Sequence, residues 1–284
     1  MTYESLHLTA RWLGTQRIDL EECGSTNDEA GRLARAGARH GTIVIAERQT
    51  NGRGRDGRVW QSPRGGLYLS AVLRPMIPLA SVPPMTLAIG IGLCDAARIF
   101  GAPAVLKWPN DLLVGHRKLA GVLVEAQSQG QRLDAVIVGI GVNLESVADE
   151  VPAKGGPSDQ GVDDRCFAAD RRSSSSPRAA PTWISLAEAA GTQAPIDREA
   201  FIAQLLARVE RWVERYVGVG LEAVIPAWQD RMAPGLAARA TVNGAPMTGQ
   251  VTGLDLDGAL LLRDDAGQIH RIRSGDVEVI RPTL

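Results

Sequence analysis

Cysteine is scarce in this chain of 284 residues, and Cys23, Cys94 and Cys166 are an odd number of thiols far apart in the sequence. Such spacing predicts neither a disulfide framework nor a cysteine-based metal site. The 4 histidines are scattered as well, so we expect no structural zinc. The net charge of −1 lacks the basic excess of a general nucleic-acid-binding protein. We therefore expect no nucleic-acid partner.

We expect that no apolar run reaches the length needed to span a bilayer, and we therefore predict no membrane span and no membrane partner. The N-terminus has no basic region followed by an apolar stretch, so no signal peptide is predicted. We expect a cytoplasmic protein. Its 44% hydrophobic and 22% charged residues are ordinary for a globular chain, and its length allows about two domains.

Lysine is the third scarce residue. The chain has 31 Lys+Arg, yet only Lys107, Lys118 and Lys154 are lysine. A lysine that persists among so many arginines suggests a compact point charge for which a guanidinium is no substitute. We therefore treat Lys107 and Lys118, which lie within the motifs described below, as candidate site residues.

Residues 52–60, GRGRDGRVW, combine three glycines with three arginines. They contain G-x-G-x-x-G, but a dinucleotide-binding unit needs a helix next, and residues 58–66 hold a proline and two glycines. The chain has no Gly-Lys-Ser/Thr of a P-loop. Guanidinium groups match phosphate oxygens two at a time. The segment thus predicts a loop that binds a multiply charged anion, with an exposed arginine-rich turn as the alternative.

Short apolar segments predict an α+β fold, with a mixed, largely antiparallel sheet backed by helices. The predicted strands are 42–47, 67–73, 105–108, 112–114, 119–125 and 135–141. The predicted helices are 27–36, 83–100 and 198–217, the last ending at Gly218. Ser25 and Thr26 are candidate N-caps of the first helix, and Asp28 or Glu29 would complete a capping box.

The rest of the chain predicts two further regions. Residues 147–181 are rich in proline, glycine and serine and predict a flexible insertion. From about residue 235, short alternating segments are separated by Asn243-Gly244 and Asp257-Gly258 turns. We expect a small β-barrel domain over 235–284, after a first domain over 1–232.

Five segments occur in a fixed order: Ser25-Thr26-Asn27, GRGRDGRVW (52–60), KWPND (107–111), KLAG (118–121) and GIGVN (139–143). Together they closely resemble the biotin–protein ligase family over residues 20–145, and the C-terminal barrel, SH3-like in that family, resembles it more loosely. The resemblance implies ATP-dependent activation of biotin to biotinyl-5′-AMP. Biotin is then transferred to a lysine of a biotin carrier domain, such as that of acetyl-CoA carboxylase.

The same resemblance implies MgATP as co-substrate, no tightly bound cofactor, and a monomer or weak homodimer. It assigns biotin contacts to Ser25, Thr26, Asn27, Gln49, Arg53, Gly54, Arg55, Lys118, Gly139 and Gly141. It assigns ATP or adenylate contacts to Arg55, Arg58, Trp60, Lys107, Asn110, Asp111 and Asn143. Lys118, Arg53 and Arg55 would be the catalytic cations that screen a carboxylate from the α-phosphate. No metal ligand is firm, although Asp111 could hold the Mg²⁺ of ATP.

Several of these residues have a plain structural alternative. Ser25 and Thr26 could serve only as caps, and Trp60 could be plain core. Asn110 and Asp111 occupy a predicted tight turn whose chemistry alone suits them, and Lys118 could be a solvated turn lysine. Asp56 departs from the family pattern, in which some relatives have a basic residue, so the phosphate partner in the loop stays open.

Three other functions are alternatives to a biotin–protein ligase without DNA binding. A bifunctional ligase-repressor needs a DNA-binding domain before the catalytic one, and the roughly twenty residues before Ser25 are too few for it. Lipoate attachment uses the same type of fold but generally lacks the arginine-rich loop. A biotin-binding or storage module would not need Lys118 together with the arginines. We further expect the loop at 52–60 to be mobile when empty and ordered when filled.

Overall fold

The computed structural model of the chain describes residues 9–145, 182–232, 237–242, 245–273 and 277–279. Some sequence-based predictions fall outside the described residues. These are the insertion at 147–181, the turn at 243–244, Lys154 and Cys166.

The larger sheet has seven strands: β1 (Gln16–Cys23), β2 (Thr42–Gln49), β3 (Gly66–Leu73), β4 (Val105–Lys107), β5 (Asp111–Val114), β6 (Arg117–Gln129) and β7 (Arg132–Asn143). Their order is β1-β2-β3-β7-β6-β5-β4. β1 runs parallel to β2, and the other neighbouring pairs are antiparallel. The predicted mixed, largely antiparallel sheet is confirmed. β1 itself was not predicted, although its residues from Arg17 to Glu21 alternate between charged and apolar as in a half-buried strand.

Helices cover both faces of this sheet: α1 (Thr26–Arg35), α2 (Met85–Ile99), α3 (Leu186–Ala190), α4 (Arg198–Val219) and α5 (Leu221–Gln229). The main core joins one sheet face to α2, α4 and α5. A smaller core joins the other face to α1 through Ala30, Ala34, Val44, Val72, Ala135 and Ile137.

The expectation that no apolar run could span a bilayer is wrong when only the length and composition of the run are considered. Leu79–Ile99 is long and apolar enough to do so. In the structure this stretch ends in α2, whose residues from Met85 to Ala97 are mostly buried. Gly92 lies directly against the backbone of Val209 in α4, where an added Cβ would come within 2.8 Å of the Val209 nitrogen. The apolar character of the stretch therefore matches burial in the core of this fold.

Two details of the helices differ from prediction. Ser25 stands at the N-cap of α1, but its side chain makes no capping hydrogen bond, so the predicted capping box does not form. Asp28 instead contacts a loop arginine, and the Thr26 hydroxyl points to Gln49. The long helix α4 passes through Gly218 and ends at Val219, and its C-cap is Gly220, whose φ of 87° suits glycine.

The C-terminal residues form a second, antiparallel sheet in the order β11-β10-β9-β8-β12. Its strands are β8 (Ala237–Val242), β9 (Ala245–Leu254), β10 (Leu260–Arg263), β11 (Ile269–Ile272) and β12 (Val277–Val279). This confirms the predicted small C-terminal β domain. The indole Nε1 of Trp108 donates to the Gly258 carbonyl at 3.0 Å and so joins this domain to the segment between β4 and β5.

Candidate active site

A polar floor, formed by Thr26, Gln49, Ser62 and Ser70, lies where α1 begins above β2 and β3. Gln49 Oε1 accepts from the Thr26 amide at 2.7 Å and from its hydroxyl at 3.0 Å. Gln49 Nε2 donates to Ser62 Oγ at 2.8 Å, and Ser70 Oγ lies 2.7 Å from Thr26 Oγ1. These buried or half-buried groups hydrogen-bond to one another. A polar ligand that replaced one of these partners would find donors and acceptors already in place.

Asn27 is fixed beside this floor by two hydrogen bonds. Its Nδ2 donates to Glu125 Oε2 at 2.6 Å, and its Oδ1 accepts from Ser70 Oγ at 2.6 Å. A Cβ on Gly139 would come within 2.3 Å of Asn27 Oδ1, so the glycine makes room for this side chain. The position of Asn27 therefore depends on α1, β3, β6 and β7 at once.

The arginine loop, residues 52–60, folds as a tight hairpin over the floor. The Gly54 amide donates to the Arg58 carbonyl at 2.7 Å, and the Trp60 amide donates to the Gly52 carbonyl at 2.9 Å. Asp56 lies at the tip with a φ of 57°, a left-handed conformation that aspartate tolerates better than most residues. Its carboxylate lies 3.2 Å from Arg55 Nε, so the unusual acidic residue partly neutralises its neighbour.

Arg53 points to carboxylates in this structure. Its Nη1 lies 2.8 Å from Asp28 Oδ1, and its Nη2 lies 3.1 Å from Glu125 Oε2. The catalytic role given to Arg53 by resemblance therefore stays a prediction. Its guanidinium lies in the wall of the site and contacts acidic protein groups.

A lysine–aspartate cluster lies opposite the loop. Asp111 Oδ1 is 2.6 Å from Lys118 Nζ, and Asp111 Oδ2 is 3.2 Å from Lys107 Nζ. β5 supplies the carboxylate, β6 supplies Lys118 and the end of β4 supplies Lys107. Two ammonium groups thus share one carboxylate, which leaves the cluster with a net positive charge and favours an anion beside it.

Asn110, next to this cluster, forms hydrogen bonds with the backbone of β6. Its Nδ2 donates to the Val122 carbonyl at 2.8 Å, and its own carbonyl accepts from the Val122 amide at 2.9 Å. This is the turn chemistry that was the alternative for Asn110.

A first cavity of ≈ 170 Å³ lies between floor, loop and cluster. All the predicted site residues but one line it: Ser25, Thr26, Asn27, Gln49, Arg53, Gly54, Arg55, Arg58, Trp60, Lys107, Asn110, Asp111, Lys118, Gly139 and Gly141. The exception is Asn143. Five segments spread over more than a hundred residues of sequence therefore meet around one cavity.

A second cavity of ≈ 370 Å³ adjoins the first, and Asn143 lies there. Asn143 Nδ2 donates to the carbonyls of Lys118 and Ile184 at 3.2 and 3.4 Å. Trp183, which the sequence analysis did not single out, also lines this cavity. The Lys118 amide donates to the Thr182 carbonyl, and this backbone contact places Trp183 beside β6.

The two cavities share a wall made of Val59, Trp60, Tyr68 and Lys118. Lys118 Nζ lies 4.9 Å from the centre of the Trp60 ring, within cation–π range. Tyr68, also missed in the sequence, donates its hydroxyl to the Pro63 carbonyl at 2.7 Å. Burial raises the pKa of Tyr68, which keeps this group a neutral donor.

The indole ring of Trp60 is closely packed, but its N–H group makes no hydrogen bond to the described part of the chain. A Cβ on Gly141 would approach the indole to 2.7 Å, and the indole Nε1 is buried without a hydrogen-bond partner. Buried indole N–H groups usually find an acceptor. Plain core packing therefore explains the position of the ring but not its unpaired nitrogen, which leaves a donor available at the shared wall.

Comparison with known proteins agrees with this geometry. The profile described as "Biotin/lipoate A/B protein ligase family" matches residues 24–143, and that of the "Biotin protein ligase C terminal domain" matches residues 239–279. A biotin–acetyl-CoA-carboxylase ligase of Paracoccus denitrificans is 33% identical over 253 residues, covering 88% of this chain and 95% of the relative. The bifunctional ligase/repressor BirA of Bacillus subtilis is 33% identical over 273 residues, covering 94% of this chain and 75% of the relative.

Solved structures are similar as well. The biotin protein ligase of Aquifex aeolicus in complex with biotin and ATP matches with a TM-score of 0.71 and 28% identity, covering 94% of this chain and 99% of that one. The matched residues include the floor, loop, lysine cluster and the wall between the cavities. The predicted family is thereby confirmed, and this chain belongs to the biotin protein ligases.

Proposed function

We propose that this protein activates biotin with ATP and transfers it to a lysine of a biotin carrier domain. A carboxylate oxygen of biotin attacks the α-phosphorus of ATP, so that biotinyl-5′-AMP forms and pyrophosphate leaves. The amine of the acceptor lysine then attacks the biotinyl carbonyl carbon. An amide bond forms, AMP leaves with the bridging oxygen, and the amine loses a proton.

The observation that carries this proposal is the place of Lys118 in the wall between two adjoining cavities. Two ligands that fill these cavities would meet at its ammonium group. A carboxylate and a polyphosphate repel each other, so a cation placed in advance at their meeting point lowers the barrier. We assign biotin to the first cavity and the nucleoside of ATP to the second.

The polar floor supports biotin as the ligand of the first cavity. A buried ureido ring needs donors for its carbonyl oxygen and acceptors for its two N–H groups. Thr26 and Gln49 offer both, after exchanging the contact that they make with each other. A lipoyl ring would leave these groups unpaired, at a cost of about 1–3 kcal/mol for each one, so biotin is favoured over lipoate.

The second cavity suits a nucleotide. Trp60 and Trp183 both line it, and indole rings offer flat surfaces to a purine base. Asn143 is held there by two backbone carbonyls. Arg55 and Arg58 line the first cavity and are the loop residues that we assign to phosphate.

Magnesium is expected to enter with ATP. Both oxygens of Asp111 face ammonium groups, which favours an anion at this position over a divalent cation held by the protein alone. Asp111 as a Mg²⁺ contact therefore stays a prediction that needs the phosphates of ATP as the other ligands.

The partner would be the carrier domain of a biotin-dependent carboxylase. We further propose a cytoplasmic protein, a monomer or weak homodimer, that does not act on nucleic acid or membranes. A non-catalytic biotin-binding module is the competing function, and it differs in one measurable respect. Such a module would bind biotin without consuming ATP.

The test mixes the protein with MgATP, labelled biotin and a carrier domain, and follows both pyrophosphate and label on the carrier lysine. We expect pyrophosphate that depends on biotin, and label on the carrier. Lys118→Ala should lower the rate by about 10²–10³-fold. Arg132→Ala, which removes an exposed cation paired with Asp134 away from both cavities, should leave it unchanged. Full activity in Lys118→Ala would remove the mechanistic assignment, and absence of pyrophosphate would favour the binding module.

A further inference from the structure

Glu125, on β6, contacts Arg53 of the arginine loop with both of its carboxylate oxygens. Arg53 Nη2 lies 3.1 Å from both Glu125 oxygens, and Nε lies 3.3 Å from Oε1. This is a forked contact between a guanidinium and a carboxylate, which fixes direction as well as distance. Asp28 of α1 adds a contact at 2.8 Å, but its side chain is 63% exposed, so water screens it more strongly.

Glu125 is itself held from the other side. Asn27 Nδ2 donates to its Oε2 at 2.6 Å, and Ser70 holds Asn27 in turn. β6 pairs with β7 from Ala120 to Gln129, a stretch that includes Glu125. The carboxylate therefore presents a fixed direction to the loop, in contrast to a long side chain that can follow a moving partner.

The position of Arg53 within the loop makes this contact important. Gln49 and Ser62 close the base of the loop by a hydrogen bond of 2.8 Å between their side chains. Arg53 pairs with Val59 across the hairpin, beyond that base. The contact with Glu125 thus ties the outer half of the loop to the sheet, and Trp60, in the wall between the cavities, follows Val59 directly.

We propose that Glu125 is a positioning residue, which holds the arginine loop over the two cavities through Arg53 and thereby retains the acyl-adenylate until the acceptor lysine arrives. The proposal rests on the proposed function for the identity of the retained intermediate. The structural part does not, because the contact between Glu125 and Arg53 is made by protein groups alone. Arg53 accordingly acts on the loop, and Arg55 and Arg58 remain for phosphate.

A matched control lies two residues along the same strand. Gln127 Nε2 donates to the Gly31 carbonyl at 3.0 Å, so it also joins β6 to α1, and it lines neither cavity. Gln127→Ala should disturb the packing between strand and helix and leave the arginine loop in place. Glu125→Gln keeps the shape of the side chain and removes its charge.

The first readout is trypsin cleavage after the loop arginines, without ligands. We expect Glu125→Gln to be cleaved about tenfold faster than wild type, because opening of the loop limits cleavage. Gln127→Ala should be cleaved at the wild-type rate. Arg53→Gln removes the same contact from its loop side. Cleavage after Arg55 and Arg58 should therefore accelerate as much as it does in Glu125→Gln. The double variant should be no faster than either single one, since both remove one contact.

The second readout is the ratio of free biotinyl-adenylate to biotin on the carrier lysine. Glu125→Gln should raise this ratio about tenfold, while KM for biotin and for ATP change less than kcat for transfer. Equal cleavage of Glu125→Gln and wild type, multiplied effects in the double variant, or an unchanged ratio would overturn the proposal. If wild type makes no adenylate at all, the proposed function fails, and the cleavage rates still decide whether Glu125 holds the loop.

Discussion

Gly141 offers the sharpest prediction, because the indole of Trp60 occupies the space that a side chain at position 141 would need. A Cβ at this position would lie 2.7, 2.8 and 2.9 Å from three atoms of the indole. Carbon atoms in contact prefer about 3.5 Å, so the ring of a Gly141→Ala variant would have to retreat by about 0.8 Å. The ring belongs to a loop, so it can move, and the unfolding free energy should fall by about 1 kcal/mol or less.

Function should suffer far more than stability. Trp60 separates the two cavities beside Lys118, and a displacement of about 1 Å in a reacting site can cost about 10²-fold in rate. We expect kcat/KM for biotin-dependent pyrophosphate formation to fall by about 10²-fold in Gly141→Ala. The measurement pairs this rate with thermal unfolding of the same preparation.

Two neighbouring glycines serve as controls. A Cβ on Gly139 would meet Asn27 Oδ1 at 2.3 Å, and that amide is fixed on two sides, so Gly139→Ala should cost about 3 kcal/mol of unfolding free energy. A Cβ on Gly121 would meet Trp60 at 3.3 Å, a mild contact that should change the rate less than tenfold. Wild-type activity in Gly141→Ala, or a larger stability loss there than in Gly139→Ala, would refute this reasoning.

Three other substitutions test separate contacts. Asp56→Asn keeps a residue suited to its φ of 57° and removes the carboxylate 3.2 Å from Arg55; KM for ATP should fall about two- to threefold at low salt, and an unchanged KM would contradict this. Trp108→Phe leaves the Gly258 carbonyl without its 3.0 Å donor, so the unfolding free energy should fall by about 1–2 kcal/mol, whereas an unchanged Tm would contradict it. For Glu210, burial alone would raise the pKa, but three backbone N–H donors outweigh burial and lower the pKa. Its stabilising effect is present above the unfolded-state pKa and lost as pH falls through the folded-state pKa, so Glu210→Gln should flatten the acid side of the Tm profile; an equal acid dependence would count against it.

Fifteen of the sixteen predicted site residues line one cavity, and the roles given to them stay predictions. The KWPND and GIGVN motifs were found by resemblance to a family, but their positions depend on distant contacts: Trp108 bonds to Gly258, and Gly139 and Gly141 lie against Asn27 and Trp60. Most of the fold followed from apolar patterning, including α2 and the strands from β2 to β7. β1 was missed although its residues alternate between charged and apolar, whereas α5 was missed because Pro226 lies inside it.

Tertiary contacts explain what the sequence analysis could not predict. Glu125 and Trp183 lie far from the arginine loop in sequence, and only strand pairing places them beside it. Ser25 had the sequence of a cap, yet the neighbouring Thr26 hydroxyl bonds to Gln49 in another element. In each case a long-range partner outweighed the local preference.

The central claim is that the carboxylate of biotin attacks the α-phosphorus of ATP beside Lys118. Biotin labelled with ¹⁸O in both carboxylate oxygens tests this directly, through mass spectrometry of the nucleotide after transfer to the carrier. The account predicts AMP with one ¹⁸O in its phosphate, because the bridging oxygen leaves with AMP when the amine attacks. Unlabelled AMP, or ADP and phosphate as the products, would contradict it.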